Sequence, residues 1–286
     1  MPKTVLITGC GPSGIGLALA AEFQLRGHRV FATGLSDSLL APAKDLGMET
    51  LVLDVTSASS IDAAVAHVAK ATGGRLDILL NNAGLMHVMP FADTDVEAAR
   101  KVLGVNVLGV FAVTKAFLPL LLAAVDARAS AGQPARSLVV NISSVNEVFR
   151  PSFFAIYNAS KAAVETLGGT IRTELAPLGI QVVTIKTGSI RTPLFDNAPP
   201  TKIPENSFYY PIREWIEGRQ MLGAARFIEP EEYAKTVVTA LLRPSIKPVI
   251  WVGGLSTIAW ILSWFGWEGI LDGPNIKQNR LEKIKR

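Results

Sequence analysis

The 286-residue sequence has a single cysteine, Cys10. That excludes an internal disulfide framework and suits a reducing compartment. Histidine is almost as scarce: His28, His67 and His87 have no spacing that resembles a metal site, so each is expected to be structural or solvated, and no metal is expected. A strong excess of one charge is also missing. The net charge is +4, and the basic residues are scattered except at the C-terminus, where KQNRLEKIKR sets five Lys or Arg against one Glu. This leaves no electrostatic footprint for nucleic acid, and none is expected as a partner. Only TVLIT follows Lys3 before the glycines begin, too short for the apolar region of a signal peptide, so a cytoplasmic protein is expected.

The hydrophobic content, by contrast, is 49%, ample for a large buried core and against disorder. Apolar runs rich in β-branched residues recur as TVLIT (4–8), RVFAT (29–33), TLVLD (50–54), LDILLN (76–81), SLVVNIS (137–143), QVVTIK (181–186) and PVIWVG (248–253). They do not alternate with polar residues, which is the pattern of strands covered on both faces. Segments of helical length lie between them, including GLALAAEFQLRG, SIDAAVAHVAKATGG and SKAAVETLGGTIRTELAPLG. The expectation is α/β, a doubly wound seven-stranded parallel sheet forming a single Rossmann-type domain over residues 1–286.

Two regions break the rhythm. Residues 189–230 are rich in proline and aromatics, including Phe195, Phe208, Tyr209 and Trp215, and sit where a sheet's C-terminal edge is covered over ligand. These four are substrate-contact candidates, and the region is expected to form a lid. The extension 255–286 begins with LSTIAWILSWFGWEGIL, which is apolar almost all round.

TGCGPSGIG, residues 8–16, follows the first strand and opens the first helix. In one register Gly9, Gly11 and Gly14 form G-x-G-x-x-G, which brings backbone close to a pyrophosphate at a helix N-terminus. In the other, the pattern starts at Thr8-Gly9 and ends at Gly14-Ile15-Gly16. Three further pieces decide between them. Asn81-Asn82-Ala83-Gly84 ends the fourth strand, Asn106 lies in the helix after it, and Ser144 precedes Tyr157-Asn158-Ala159-Ser160-Lys161. Together these resemble the short-chain dehydrogenase/reductase family over residues 4 to about 254, through T-G-x3-G-x-G, N-N-A-G, an N-x-x-G asparagine and S…Y-x3-K.

The chemistry these side chains suit can be stated separately. Tyr157 and Lys161 stand one turn apart on one helix face. An ammonium there is expected to lower the phenol's pKa and make it a general acid toward a carbonyl oxygen. Ser144 can hydrogen-bond the same oxygen. Taken singly, a satisfied core amide, a surface Tyr-Lys pair and a strand-ending serine would each be the plainer account. The resemblance further implies that Lys161 holds a nicotinamide ribose and that Asn106 fixes a water relaying protons to it. It also implies cofactor contacts at Gly9, Gly11, Ser13, Gly14, Ile15 and Gly16, at Asp54 and Val55 beside the adenine, at Asn82, Ala83 and Gly84 along a ribose, at Tyr157, and at Gly188, Ile190 and Thr192 beside the carboxamide.

The chain departs from that pattern in three places. Four residues, Cys10 to Ser13, replace three in the loop; Thr187 replaces the usual proline; and Glu147 follows the serine where a small residue is common, facing either substrate or a solvated loop. No acid ends the second strand before Asp37, so a ribose 2′-hydroxyl has no carboxylate partner there. NADPH/NADP+ is therefore expected over NADH, with Thr33, Ser36 or Gly11 as phosphate partners.

Within the family, the expanded loop and Trp-rich tail look most like reductases similar to 1-acyldihydroxyacetone-phosphate reductase. The implied reaction is reduction of a ketone on a bulky hydrophobic or lipid-like small molecule, or the reverse oxidation of its alcohol. Lys202, Arg213, Arg219 and Arg226 are the only cations between Thr201 and Ile228, so an uncharged polyketide or terpenoid ketone in secondary metabolism is the alternative. A homodimer or homotetramer is expected. No charge occurs from Val249 to Trp267, but the last strand needs its first residues and leaves too few to cross a bilayer. Burial over the pocket or in a subunit interface, then peripheral contact with endoplasmic reticulum or lipid droplet, are the remaining placements. A non-catalytic dinucleotide sensor and a dehydratase or cyclase on the same fold complete the readings.

Overall fold

In a computed structural model the described residues run from Pro2 to Ile284, except Asp196 and Pro199. Two residues of the 189–230 insertion, and Lys285 and Arg286 of the basic C-terminus, thus lie outside the described residues.

Seven strands form one parallel sheet: β1 (Thr4–Ile7), β2 (Arg29–Gly34), β3 (Glu49–Val52), β4 (Ile78–Asn81), β5 (Ser137–Ser144), β6 (Ile180–Thr187) and β7 (Val249–Val252), in the order β3-β2-β1-β4-β5-β6-β7. Each lies within two residues of its sequence-predicted run. Val5 pairs with Val30 on one side and Ile78 on the other, so β1 is central. After β3 the chain returns across β1 to lay down β4, and a crevice opens at this switch point beyond the strands' C-terminal ends.

Side chains alternate across the sheet. Val5, Ile7, Val30, Ala32 and Ile78 face one core with Leu19 and Phe23 of α1 (Ile15–Leu25), Leu40 of α2 (Asp37–Asp45), and Tyr233 and Val237 of the penultimate long helix. Leu6, Phe31, Leu79, Val139 and Val182 face the other with Ile61 and Val68 of α3 (Ala58–Thr72) and with Val113, Phe117 and Leu121. Burial of each such large side chain contributes about 1.5–3 kcal/mol. Continuous apolar strands are what two covered faces require.

Helix α2 is invisible in the periodicity because Pro42 interrupts it; Ser36 caps it by accepting a bond from the Leu39 amide. Helix α4 (Val96–Leu103) continues through a π-helical turn, Gly104–Gly109, into α5 (Val110–Ser130). That 35-residue run is the one helix among the described residues long and apolar enough to cross a membrane, but its apolar side packs on the sheet. The remaining helices are α6 (Asn146–Phe149), α7 (Ala155–Leu175), α8 (Arg213–Glu217), α9 (Pro230–Leu241), α10 (Ser256–Phe265) and α11 (Asp272–Gln278).

Candidate active site

The ends of β1, β4 and β5 meet α1, the π-helical turn and α7 around the crevice. The glycine loop is held there by its neighbour across the switch point. Thr8 Oγ1 accepts the amides of Asn82 and Ala83, each at 2.9 Å. Asn82 Nδ2 donates to the carbonyls of Thr8 and Gly9 at 2.8 and 3.0 Å. A Cβ on Gly16 would lie 2.4 Å from the Gly9 oxygen and 2.6 Å from Asn82 Nδ2, so no larger residue fits. Gly9 has φ +74° and touches Ala83. The extra residue of Cys10–Ser13 is taken up in a turn closed by Gly14 N–H donating to Gly11 O at 3.2 Å, with Ser13 left-handed at φ 53°. Gly14 caps α1 without a side chain, which leaves the first-turn amides of Ile15 and Gly16 toward the crevice. Backbone bared at a helix N-terminus fits a dinucleotide's pyrophosphate.

One expected phosphate partner needs correction. The Thr33 hydroxyl is fully buried and donates to Ile7 O at 3.0 Å, because β2 lies inside the sheet; it faces the core. Cys10 is likewise interior: its amide donates to Thr33 O at 2.7 Å, and burial pushes its thiol up to about 12. Ser36 stays at the outer mouth as the N-cap of α2. Asp37 is ion-paired with Lys44 at 2.6 Å. Asp54 Oδ1 accepts from the Thr56 amide and hydroxyl, and Val55 is buried beside it. Gly188 N donates to Val252 O at 2.8 Å and Ile190 bridges Ile228, which ties both to the edge of the sheet, with Thr192 half-buried next to them.

Ser144, Tyr157, Lys161 and Asn106 converge. Ser144, at the end of β5, is the hydrogen-bond partner of the Tyr157 hydroxyl. Lys161 Nζ donates to Ile142 O at 2.9 Å and lies 5.7 Å from the centre of the Tyr157 ring. Asn106 sits in the π-helical turn, a local widening frequent at functional sites. Its Oδ1 accepts from the Leu85 amide at 2.7 Å, and its Nδ2 donates to Leu85 O and Ser160 Oγ at 3.0 and 2.9 Å. A Cβ on Gly84 would stand 3.4 Å from Asn106 Oδ1 and 3.7 Å from Lys161 Nζ, so glycine keeps the space between them open.

The expected lowering of the phenol's pKa is not what the structure gives. Burial pushes Tyr157 up to about 12, opposed by its bond to Ser144, and burial lowers Lys161 to about 8. Both groups are 6% exposed, and the ammonium is engaged by a carbonyl, so desolvation outweighs their mutual attraction.

Tyr157 also belongs to a third apolar cluster with Met86, Val88, Phe153, Phe154, Ile203, Ile212, Ile216 and Met221. Phe195, Tyr209 and Trp215 pack against it, but Phe208 is 75% exposed and turns to solvent, contrary to the sequence reading. Tyr209 meets Phe153 edge-on at 6.1 Å. Phe153 adopts φ 73°, a strained angle for a bulky residue, and its carbonyl accepts the Met89 amide at 2.8 Å. Leu281 and Ile284 from the C-terminus join the cluster, and Arg280 stacks over Trp215 at 4.1 Å. Sequence reasoning missed Met86, Val88, Phe153, Phe154, Met221 and Leu281; the clue was Phe153-Phe154 one turn before Tyr157.

Glu147 is not in a solvated loop. It is 8% exposed and paired with Lys186, which also meets Glu165 at 2.5 Å. Thr187, in place of the usual proline, shares a buried 2.7 Å hydroxyl bond with Tyr233, which gives that departure a packing reason. Among the described residues no three His, Cys, Asp or Glu converge as metal ligands.

Comparisons agree with this geometry. The family model described as short chain dehydrogenase matches residues 3–202. Short-chain dehydrogenase fogD of Aspergillus ruber is 34% identical, over 99% of this chain and 95% of its own. The NADPH-dependent 1-acyldihydroxyacetone phosphate reductase of Schizosaccharomyces pombe is 37% identical, over 89% and 87%. A short-chain dehydrogenase crystal structure from Streptomyces avermitilis superposes with TM-score 0.76 at 29% identity, covering 99% of this chain and 97% of that one. A Brucella melitensis 3-ketoacyl-(acyl-carrier-protein) reductase complexed with NADH gives 0.70 at 26%, over 87% and 95%. The chain belongs to the short-chain dehydrogenase/reductase family, NAD(P)-dependent oxidoreductases acting on alcohol and ketone groups.

Proposed function

We propose that this enzyme reduces a ketone on a bulky apolar small molecule with NADPH, Tyr157 giving the proton. The observation that carries the reading is the apolar cluster closing around an otherwise buried Tyr157 and Ser144. Burial keeps the phenol protonated through neutral pH, so Tyr157 has a proton to give. Ser144 donates to the ketone oxygen as it gains charge, in a dry site where such bonds are strongest. Lys161 stabilises the phenolate left behind, and Asn106 fixes the loop at Gly84 and Leu85 beside that lysine. Gly9, Gly11, Ser13, Gly14, Ile15 and Gly16 would hold the pyrophosphate, Asp54 and Val55 the adenine, Asn82 to Gly84 and Lys161 the ribose, and Gly188, Ile190 and Thr192 the carboxamide. When bound, the reduced nicotinamide supplies hydride. Tyr157→Phe should lower kcat by about 10³-fold with cofactor affinity kept; appreciable residual carbonyl reduction would sink this assignment.

The preference for NADPH is supported by the N-terminus of α2 with Ser36 at its cap, and by Asp37 being engaged with Lys44. The Schizosaccharomyces pombe relative is named as NADPH-dependent. Titration with both cofactors decides it, and tighter NADH binding would reverse it. An uncharged ketone is favoured over a phosphate-bearing lipid by where the insertion's cations lie. Arg213 stacks on Tyr210 at 4.3 Å, Arg219 donates to Ala198 O, and Lys202 and Arg226 are exposed. Turnover across a ketone panel, with product analysis, separates reduction from a dehydratase or cyclase reaction and from a sensor without chemistry.

We further infer peripheral lipid contact through α10, whose Trp260, Trp264 and Phe265, with Trp267 just beyond, are 44–77% exposed. Ten residues cannot cross a bilayer, but an apolar aromatic face followed by Lys277 and Lys283 suits an anionic interface. Trp264→Ser with Phe265→Ser should abolish flotation with phosphatidylserine vesicles; unchanged flotation removes the idea. A homo-oligomer fits Leu108 and Phe111, exposed at 64% and 51% where the π-helical turn runs into α5. Light scattering gives its size, and a monomer rejects it.

A further inference from the structure

Glu147 and Lys186, buried at 8% and 9% exposure, and Glu165, at 31%, form a charged cluster that the proposed chemistry leaves unused. Lys186 lies on β6 opposite Ser143 in register. Its ammonium reaches Glu147 on α6, in the loop that leaves Ser144, and Glu165 on α7 at 2.5 Å. Glu165 is one turn beyond Lys161, on the helix face that carries Tyr157. Trp251 of β7 covers the ammonium at 4.6 Å.

The same loop is tied to the same helix by weaker neutral bonds. Ser143 Oγ donates to Lys161 O at 3.0 Å, and Asn146 Nδ2 donates to Asn158 Oδ1 at 3.2 Å. Val145 N donates to Thr187 O at 3.0 Å, and Asn146 N to Ser144 Oγ at 3.1 Å. Among the described residues only the ammonium draws β6, α6 and α7 to a single point. We propose that Lys186, bridging Glu147 and Glu165, is a positioning residue that sets Ser144 against Tyr157. The proposal rests on the reading of Ser144 and Tyr157 given above.

Two carboxylates share one cation, so the cluster is balanced when one acid is protonated. Burial pushes Glu147 up to about 8, and the neighbouring Glu165 adds to that. The groups facing it are Lys186, Glu165 and Ser143, while Arg150, Glu268 and Asp272 line the outer part of the adjoining cavity of about 420 Å³. Above its pKa the second negative charge repels Glu165, and the Ser144 loop loosens.

The experiment compares full-length Lys186→Met, Lys186→Arg and Glu147→Gln by hydrogen exchange of residues 143–150. It also measures kinetics on the ketone of a panel that wild type reduces fastest. In Lys186→Met, exchange of 143–150 should accelerate while β2 and α2 keep wild-type protection, and kcat should fall by about 100-fold with KM little changed, as for a misplaced catalytic group. Lys186→Arg should restore most of both. After correction for intrinsic rates, wild type should lose protection there between about pH 7 and about pH 9, and Glu147→Gln should not. Unchanged exchange in Lys186→Met, or acceleration everywhere equally, overturns the proposal even if Tyr157→Phe is inactive. Residual activity in Tyr157→Phe would instead remove the reading of the chemistry and leave the exchange result standing.

Discussion

The two halves of the crevice are built differently. On the cofactor side, backbone meets backbone: Gly9 and Gly16 admit Asn82 and Ala83 at distances no side chain would allow, where β1 and β4 end and α1 begins. On the substrate side, Met86, Phe153, Ile212, Met221 and Leu281 come together from separate segments through side chains that offer one another only apolar surface. Close backbone approach restricts residue identity to glycine or to one hydrogen-bonding side chain. Apolar contact restricts only size and hydrophobicity. The first half is therefore rigid in sequence and the second is free to vary with substrate.

The contrast breaks most easily at Gly16. Gly16→Val would drive methyl groups into the Gly9 carbonyl and Asn82, so α1 must shift away from the switch point. NADPH Kd should rise by at least about 100-fold, or about 2.7 kcal/mol, by fluorescence titration. A valine enzyme with ordinary affinity would mean that the loop is less tightly clamped than the contacts require. On the other half, Trp215→Ala removes an aromatic wall and the seat of Arg280. KM for an apolar ketone should rise by about tenfold, or about 1.4 kcal/mol, while NADPH Kd stays unchanged. Equal losses in both would show that the two halves are not separable.

The same division decides what could be read from the chain. All seven strands were legible because residues covered on both faces must be continuously apolar, whereas Tyr157, Ser144, Lys161 and Asn106 were legible only jointly, through motifs that resemble the family's, since geometry alone links just Tyr157 and Lys161. Helix α2 was hidden by Pro42, and the internal direction of Thr33 could not be seen because β2 has no polar face to mark it. Phe208 and Tyr209 are neighbours of the same type, yet one packs on Phe153 and the other faces solvent. Glu147 was left between substrate and a solvated loop because its partners, Lys186 and Glu165, are distant in sequence.

Two buried titrating groups give a subtler separation. Folding raises Glu147 from its ordinary range to about 8, so the folded state holds a proton that the unfolded chain has released, and stability falls as pH rises from about 4.5 to about 8. Folding lowers Lys161 to about 8, so between about 8 and about 10.5 the unfolded chain binds the extra proton and stability rises with pH. Melting temperatures across this range should show Glu147→Gln flattening the lower limb and Lys161→Met flattening the upper. Interchanged limbs would contradict both environments.

The smallest effect is expected at Gly11, and it tests what the extra loop residue does. Gly11 shares the loop with Gly9 and Gly16, but a Cβ there meets nothing within 4 Å, and its φ is not positive. The strain of the four-residue turn is carried by Ser13 instead, at φ 53°. Gly11→Ala should therefore stay within about 0.5 kcal/mol of wild type in chemical denaturation, as for a surface substitution without a partner. If stability is unchanged while NADPH affinity falls and NADH affinity does not, the open side of Gly11 is where the 2′-phosphate approaches. Equal affinities for both would assign discrimination to Ser36 and the N-terminus of α2 alone.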